Sequence, residues 1–253
     1  MEKHIRFAAV VLAAGKGKRM KSTVQKQFLL LHGKPLLYYS LAAFENSPAE
    51  DIILVTGAEE MEYCRKEIVE RFGFQKVRAI VGGGKERYHS VYEGLKALSE
   101  QLGYGTGASV DGKEDEWDYV MIHDGARPFV DEDILKRVME DAVTYGACVA
   151  GMMSKDTVKL ADEAGFAAQT PDRSHVWTVQ TPQTFSYRLI KEAYDKMMSR
   201  EEYQKGVTDD AMVVESMTRQ RVKLTEGSYR NIKVTTPEDM AVAEAFLRET
   251  DDI

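Results

Sequence analysis

Cysteine is scarce in this chain of 253 residues: Cys64 and Cys148 stand far apart and in no CxxC pair. That excludes a disulfide framework and a cysteine-held zinc site, and it suits a reducing, cytoplasmic setting. Long apolar runs are missing as well. The run Phe7 to Ala14 follows Lys3 and Arg6 in the manner of a short secretory signal, but Gly15, Lys16, Gly17, Lys18 and Arg19 interrupt it at once. It falls well short of the roughly 20 residues that span a bilayer and reads as a core strand. An excess of positive charge is also absent, since 34 Lys and Arg face 41 Asp and Glu, a formal charge of −7. No extended Lys/Arg run offsets it, so neither nucleic acid nor a membrane surface is an expected partner. There is no internal repeat and no Ser or Cys nucleophile signature.

What is present is an ordinary globular composition, 43% hydrophobic and 30% charged. Short β-branched runs alternate with segments of helical period, which predicts an α/β fold with a mostly parallel sheet covered by helices. Strands are expected at Phe7–Leu12, Asp51–Thr56, Val77–Val81, Tyr119–Ile122, Ala147–Met152, Lys223–Thr225 and Ile232–Val234. Helices are expected at Leu36–Phe44, Glu59–Phe72, Tyr88–Leu102 and Asp131–Tyr145, the last with Asp131 as its cap. A final helix is signalled by Thr236-Pro237-Glu238-Asp239, a natural cap followed by Pro and two acids. Two segments break the alternation. Gly103–Glu116, glycine-rich with an acidic tail, reads as a surface loop; 154–175 reads as a protruding β-arm, with Thr157–Leu160 and Phe166–Thr170 paired about 162–165. Apart from this arm the chain is expected to form one domain over 1–253.

The chemistry gathers at strand ends. Ala13-Ala14-Gly15-Lys16-Gly17-Lys18-Arg19-Met20 follows the first strand, where open α/β sheets bind ligands and small residues let backbone N–H groups cradle phosphates. A dinucleotide fingerprint fails at Met20. A Walker pattern fails because Pro35 follows Gly33-Lys34 and Phe28 holds the first glycine position. The loop is nonetheless basic: Lys16, Lys18, Arg19, Lys21 and Lys26 reverse the overall charge locally, as a triphosphate requires, although a solvated loop would read the same way. At the end of Tyr119–Ile122, His123-Asp124-Gly125-Ala126-Arg127-Pro128 offers Asp124 as a Mg²⁺ ligand, since Mg²⁺ takes one or two carboxylates and completes its shell with phosphate oxygens and water. The alternative is a turn-stabilising Asp124–Arg127 ion pair. His123 reads as structural. Three further pieces stand at loop ends: Gly82-Gly83-Gly84 with Ser90; Thr208-Asp209-Asp210, with Thr208 a cap for Asp209–Met217; and Asn231-Ile232-Lys233-Val234.

Taken in order, these pieces resemble the 2-C-methyl-D-erythritol 4-phosphate cytidylyltransferase family of the non-mevalonate isoprenoid pathway. The resemblance also draws on Lys26-Gln27-Phe28, Arg87, Asp156-Thr157, Asp172-Arg173 before Trp177, and Gln180-Thr181-Pro182-Gln183. It implies a Rossmann-like nucleotidyltransferase fold, a homodimer formed through the arm, and transfer of CMP from CTP to a phosphorylated polyol with Mg²⁺ or another divalent cation. It implies that Arg19 and Lys26 stabilise the transition state and that Arg173 and Lys233 position the substrate phosphate. Arg127, Thr157 and Thr208 would contact substrate, and Thr157 and Arg173 would come from the neighbouring chain. Ala13, Ala14, Gly15, Gly84 and Ser90 would bind the nucleotide, and Asp124 the metal. Two rivals remain: a ribitol-5-phosphate cytidylyltransferase, and a non-catalytic nucleotide-binding module. Gln25 stands where the family usually has Pro, which implies a looser presentation of Lys26.

Overall fold

The computed structural model describes residues 5–15, 25–105 and 118–251. Its strands are β1 (Arg6–Ala13), β2 (Leu30–Leu31), β3 (Lys34–Pro35), β4 (Asp51–Thr56), β5 (Val77–Gly82), β6 (Asp118–Asp124), β7 (Ala147–Met153), β8 (Leu160–Ala161), β9 (Ala167–Gln169), β10 (Trp177–Ser186) and β11 (Lys223–Glu226). Its α-helices are α1 (Leu36–Glu45), α2 (Met61–Tyr63, running on as a π-helix over Cys64–Glu70), α3 (Arg87–Leu102), α4 (Glu132–Tyr145), α5 (Tyr187–Met198), α6 (Asp210–Met217) and α7 (Pro237–Asp251). Seven strands form one sheet in the order β11-β7-β10-β6-β1-β4-β5. β1 runs parallel to β4 and β6, β4 to β5, and β11 to β7, whereas β10 is antiparallel to β6 and β7. This is the mostly parallel, Rossmann-like α/β architecture expected.

Alternation along β1 explains why the sheet is covered on both faces. Phe7, Ala9 and Val11 pack with Leu37 and Leu41 of α1 and Ile134 and Val138 of α4, while Ala8 and Val10 pack with Val91 and Leu95 of α3 and Ile190 of α5. A strand buried on both sides must be nearly continuous in apolar residues, as β1 is. α3 lies so close that a Cβ on Gly94 would come within 2.5 Å of Val10 Cγ1. In α4, Asp131 caps the helix by accepting from the Ile134 N–H at 2.8 Å. Ile134, Leu135, Val138 and Ala142 are buried, but Val143 is exposed. α7 closes over a separate cluster of Leu31, Leu36, Val234 and Ala243.

Some expectations need correction. Ile232–Val234 is not a strand: it crosses the end of β6, pinned by the Val234 N–H donating to Ala126 O at 2.8 Å, with no ladder partner. Thr208 does not cap α6; Asp209 does, accepting from the Met212 N–H at 2.9 Å. β10 and α5 were not anticipated. The arm contains a hairpin where one is expected, but its strands are shorter and the first is displaced: β8 shares only Leu160 with the expected Thr157–Leu160, while β9 lies within Phe166–Thr170. Most of Gly103–Glu116 lies outside the described residues. No described helix is long and apolar enough to cross a membrane.

Candidate active site

A cleft of about 840 Å³ opens at the carboxyl ends of the parallel strands. It sits where β1 is flanked by β4 on one side and β6 on the other, the crevice in which such sheets bind ligands. Ala13, Ala14 and Gly15 enter it from the end of β1, Gly83, Gly84 and Ser90 from the β5–α3 junction, and Asp124 from the tip of β6. Lys26 and Lys233 complete the approach. The junction is tightly fitted: a Cβ on Gly83 would fall 2.5 Å from the Ala14 Cβ, and the Gly84 N–H donates to Ser90 Oγ at 3.2 Å. The first and second loops therefore form one wall.

Asp124 is the electrostatic centre. Lys233 Nζ lies 2.8 Å from its Oδ2, Arg87 Nε donates to its Oδ1 at 3.3 Å, and Arg127 Nε stands 3.9 Å away. Burial opposes ionisation of this carboxyl, but Arg87, Lys233 and Arg127 together hold it far below the usual carboxylate range. The simple Asp124–Arg127 turn pair is thus the weakest of three contacts. Arg127 is instead a brace beneath the cleft, its Nη1 donating to Asn231 O at 2.8 Å and so anchoring the segment that presents Lys233.

His123 is fully buried, and burial lowers its imidazole to about 4, leaving it neutral near pH 7. The Arg127 carbonyl can only accept, so Nε2 carries the proton toward it at 3.2 Å and Nδ1 accepts from the Thr181 hydroxyl at 3.0 Å. That hydroxyl in turn accepts the Asp124 N–H at 3.1 Å. The histidine is structural, as its sequence context suggested: it fixes the backbone under Asp124.

Two residues central to this arrangement were missed as candidates. Arg87 makes a two-point pair with Asp210, both contacts at 2.8 Å, and the fully buried Asp210 also receives the Tyr194 hydroxyl at 2.6 Å. Gln183 adds to the cage by accepting from the Asp210 and Ala211 N–H groups. The signal was available, because Arg87 stands between Gly83-Gly84 and Ser90, and Asp210 directly follows Thr208-Asp209.

Other expected residues lie elsewhere. Arg19 falls outside the described residues. Thr157 and Arg173 sit exposed on the arm, where Arg173 Nη1 donates to Lys155 O at 3.2 Å, and they do not line the cleft of their own chain. Thr208 is exposed with its hydroxyl 3.6 Å from Met212 Sδ, also away from the lining. Gln25 keeps a φ of −63°, within the range proline imposes, and its side chain adds contacts to Gln27 and Glu60 that proline lacks. The backbone at this position is thus in a proline-compatible conformation, held by side-chain contacts rather than by a ring.

Among the described residues no group of three His, Cys, Asp or Glu side chains could hold a metal alone. A single hard carboxylate at the cleft floor, with lone pairs beyond those used by Lys233 and Arg87, fits Mg²⁺ when phosphate oxygens and water supply the remaining positions.

The model of the 2-C-methyl-D-erythritol 4-phosphate cytidylyltransferase family matches residues 7–249. The chain is 47% identical over 248 residues to the enzyme of that name from Lachnoclostridium phytofermentans, covering 98% of each. It is 47% identical over 241 residues to that from Lachnospira eligens, covering 95% of this chain and 98% of the relative. A solved structure of 4-diphosphocytidyl-2C-methyl-D-erythritol synthase from Anaerococcus prevotii superposes with a TM-score of 0.77 at 31% identity, covering 96% of each chain.

Proposed function

This chain belongs to the 2-C-methyl-D-erythritol 4-phosphate cytidylyltransferase family, and on that premise we propose a role for each part of its cleft. The enzyme transfers CMP from CTP to 2-C-methyl-D-erythritol 4-phosphate, giving 4-diphosphocytidyl-2-C-methyl-D-erythritol and pyrophosphate in non-mevalonate isoprenoid synthesis. The family match across nearly the whole chain carries this conclusion.

A phosphate oxygen of the substrate attacks the α-phosphorus of CTP, and the bond to the pyrophosphate oxygen breaks. The attacking phosphate is already ionised near neutral pH, so no covalent nucleophile or strong base is needed. What the protein must do is join two anions in line and meet the charge that develops on the transferring group. Ala13, Ala14, Gly15, Gly84 and Ser90 bind the nucleotide along the fitted glycine wall. Arg19 and Lys26 stabilise the transition state, and Lys233 positions the substrate phosphate with Arg127 beneath it. Thr208 contacts the substrate. Asp124 would hold Mg²⁺ or another divalent cation, which would supply positive charge against the triphosphate. The ion pair of Asp124 with Lys233, at the tip of β6 in the cleft, supports this reading of the floor most directly. The protein acts as a homodimer, with Thr157 and Arg173 on the arm completing the site of the partner. A cytoplasmic setting fits Cys64 and Cys148, both buried and unpaired.

Pyrophosphate release distinguishes the readings. With CTP and Mg²⁺, 2-C-methyl-D-erythritol 4-phosphate is expected to drive release, ribitol 5-phosphate to do so far more slowly, and omission of divalent cations to stop it. Preference for ribitol 5-phosphate, or CTP binding without pyrophosphate release, would overturn the assignment.

A further inference from the structure

The turn that carries Lys26 is fastened to two strands by a short chain of side-chain amides. Gln27 is buried, and its Nε2 donates both to Ala13 O at the end of β1 and to Gln25 Oε1. Gln25 Nε2 donates to Glu60 Oε1, in the turn that follows β4. The backbone joins in, because the Phe28 N–H donates to Gln25 O at 2.9 Å and closes the turn around Lys26. The ring of Phe28 packs edge-on to Tyr63, centroids 5.0 Å apart, and ties the turn to the same side of the sheet. Gln25, Lys26, Gln27 and Glu60 all line the cleft.

We propose that Gln25 is a positioning residue: its amide bridges Gln27 and Glu60 across the mouth of the cleft and so holds Lys26 against the transferring phosphate. This rests on the reading of Lys26 given above. The bridge needs an acceptor and a donor on one side chain, used in opposite directions, which an amide supplies and a carboxylate does not. A misplacement of about 1 Å is enough to cost a charge-stabilising group 10²-fold in rate.

The logic of donors gives the test. Gln25→Glu keeps the acceptor for Gln27 but sets a carboxylate against Glu60; adding Glu60→Gln returns a donor to the pair. Steady-state pyrophosphate release and melting temperature are measured for wild type, both single variants and the double variant. Gln25→Glu is expected to lower kcat on the order of 10- to 10²-fold with KM for CTP and the melting temperature unchanged. The same substitution in the Glu60→Gln background should cost less than about threefold. Full kcat in Gln25→Glu, or an equal loss in both backgrounds, overturns the bridge. Should Gln25→Glu fail to fold, Gln25→Met removes both hydrogen bonds without adding charge and is held to the same loss of kcat. Lys26→Ala is assayed alongside. If it turns over at full rate, the reading of Lys26 fails; if it is inactive while Gln25→Glu is not, only the bridge fails.

Discussion

Asp124 remains ionised in a nearly closed position because Lys233, Arg127 and Arg87 surround it, yet the neighbourhood is far from strongly positive. Those three cations are set against Asp124 itself and against Asp210, which takes up Arg87, leaving one net positive charge at the floor. A triphosphate needs more than that. Lys26 and Lys85 also line the cleft, and in the sequence the local charge reversal at Lys16, Lys18, Arg19, Lys21 and Lys26 says more about an anionic ligand than the overall −7. Lys26 is half-buried at the cleft wall and so acts where water screens it less. Lys26→Ala is therefore expected to lower kcat on the order of 10²–10³-fold, by analogy with loss of one charge-stabilising donor. Its melting temperature should match wild type. Near-normal turnover in the folded variant would remove Lys26 from the chemistry.

Elements buried on both faces were legible in the sequence, and those that combine burial with polarity were not. β1, β4 and β6 announce themselves as apolar runs, and α4 by its stripe and its cap. β10 hides because Gln180, Thr181, Gln183 and Thr184 are polar, although all four are buried. Their partners are distant in sequence: Gln180 Nε2 donates to Ser228 O at 2.7 Å, and Asn231 Nδ2 donates to Thr181 O at 2.9 Å. The pairing of β10 with β7 shifts register between Val179 and Gln183, an irregularity that frees these side chains to support Asp124 and the Lys233 segment. α5 was legible in principle, since Tyr187, Ile190, Tyr194 and Met197 recur on one face.

The same site depends on how α7 begins. Asp239 accepts from the Thr235 and Thr236 N–H groups at 2.7 and 2.9 Å, directly after the Lys233 segment. Burial opposes its ionisation, but these hydrogen bonds outweigh it and hold the carboxyl below its usual range. A lowered value means stability that is present above the unfolded pKa of about 3.9 and lost as pH falls through the folded one. Asp239→Ala should thus cost about 1 kcal/mol at pH 7, as loss of hydrogen bonds to a charged group, and distinctly less near pH 3. Urea midpoints at the two pH values decide this; an equal cost at both would refute a charge-dependent contribution from Asp239.

The arm is the part of the molecule whose design makes least sense in one chain. β8 and β9 are two and three residues long, too short to be stable as an isolated hairpin. Phe166 is 73% exposed and Leu160 49%. Thr157 and Arg173 project from it without lining the cleft of their own chain. Each of these features is accounted for if two chains exchange arms, so that one contributes Lys26 and its neighbour Arg173. Such exchange predicts complementation. Lys26→Ala and Arg173→Ala chains, each inactive alone, are mixed in equal amounts under conditions that allow protomers to redistribute. Half of the dimers are then mixed, and each mixed dimer has one site with both lesions and one with neither. Activity should recover to about a quarter of the wild-type value, the share of intact sites in a random two-fold assortment. If Arg173 served its own chain, every site in the mixture would keep a lesion and redistribution would restore nothing.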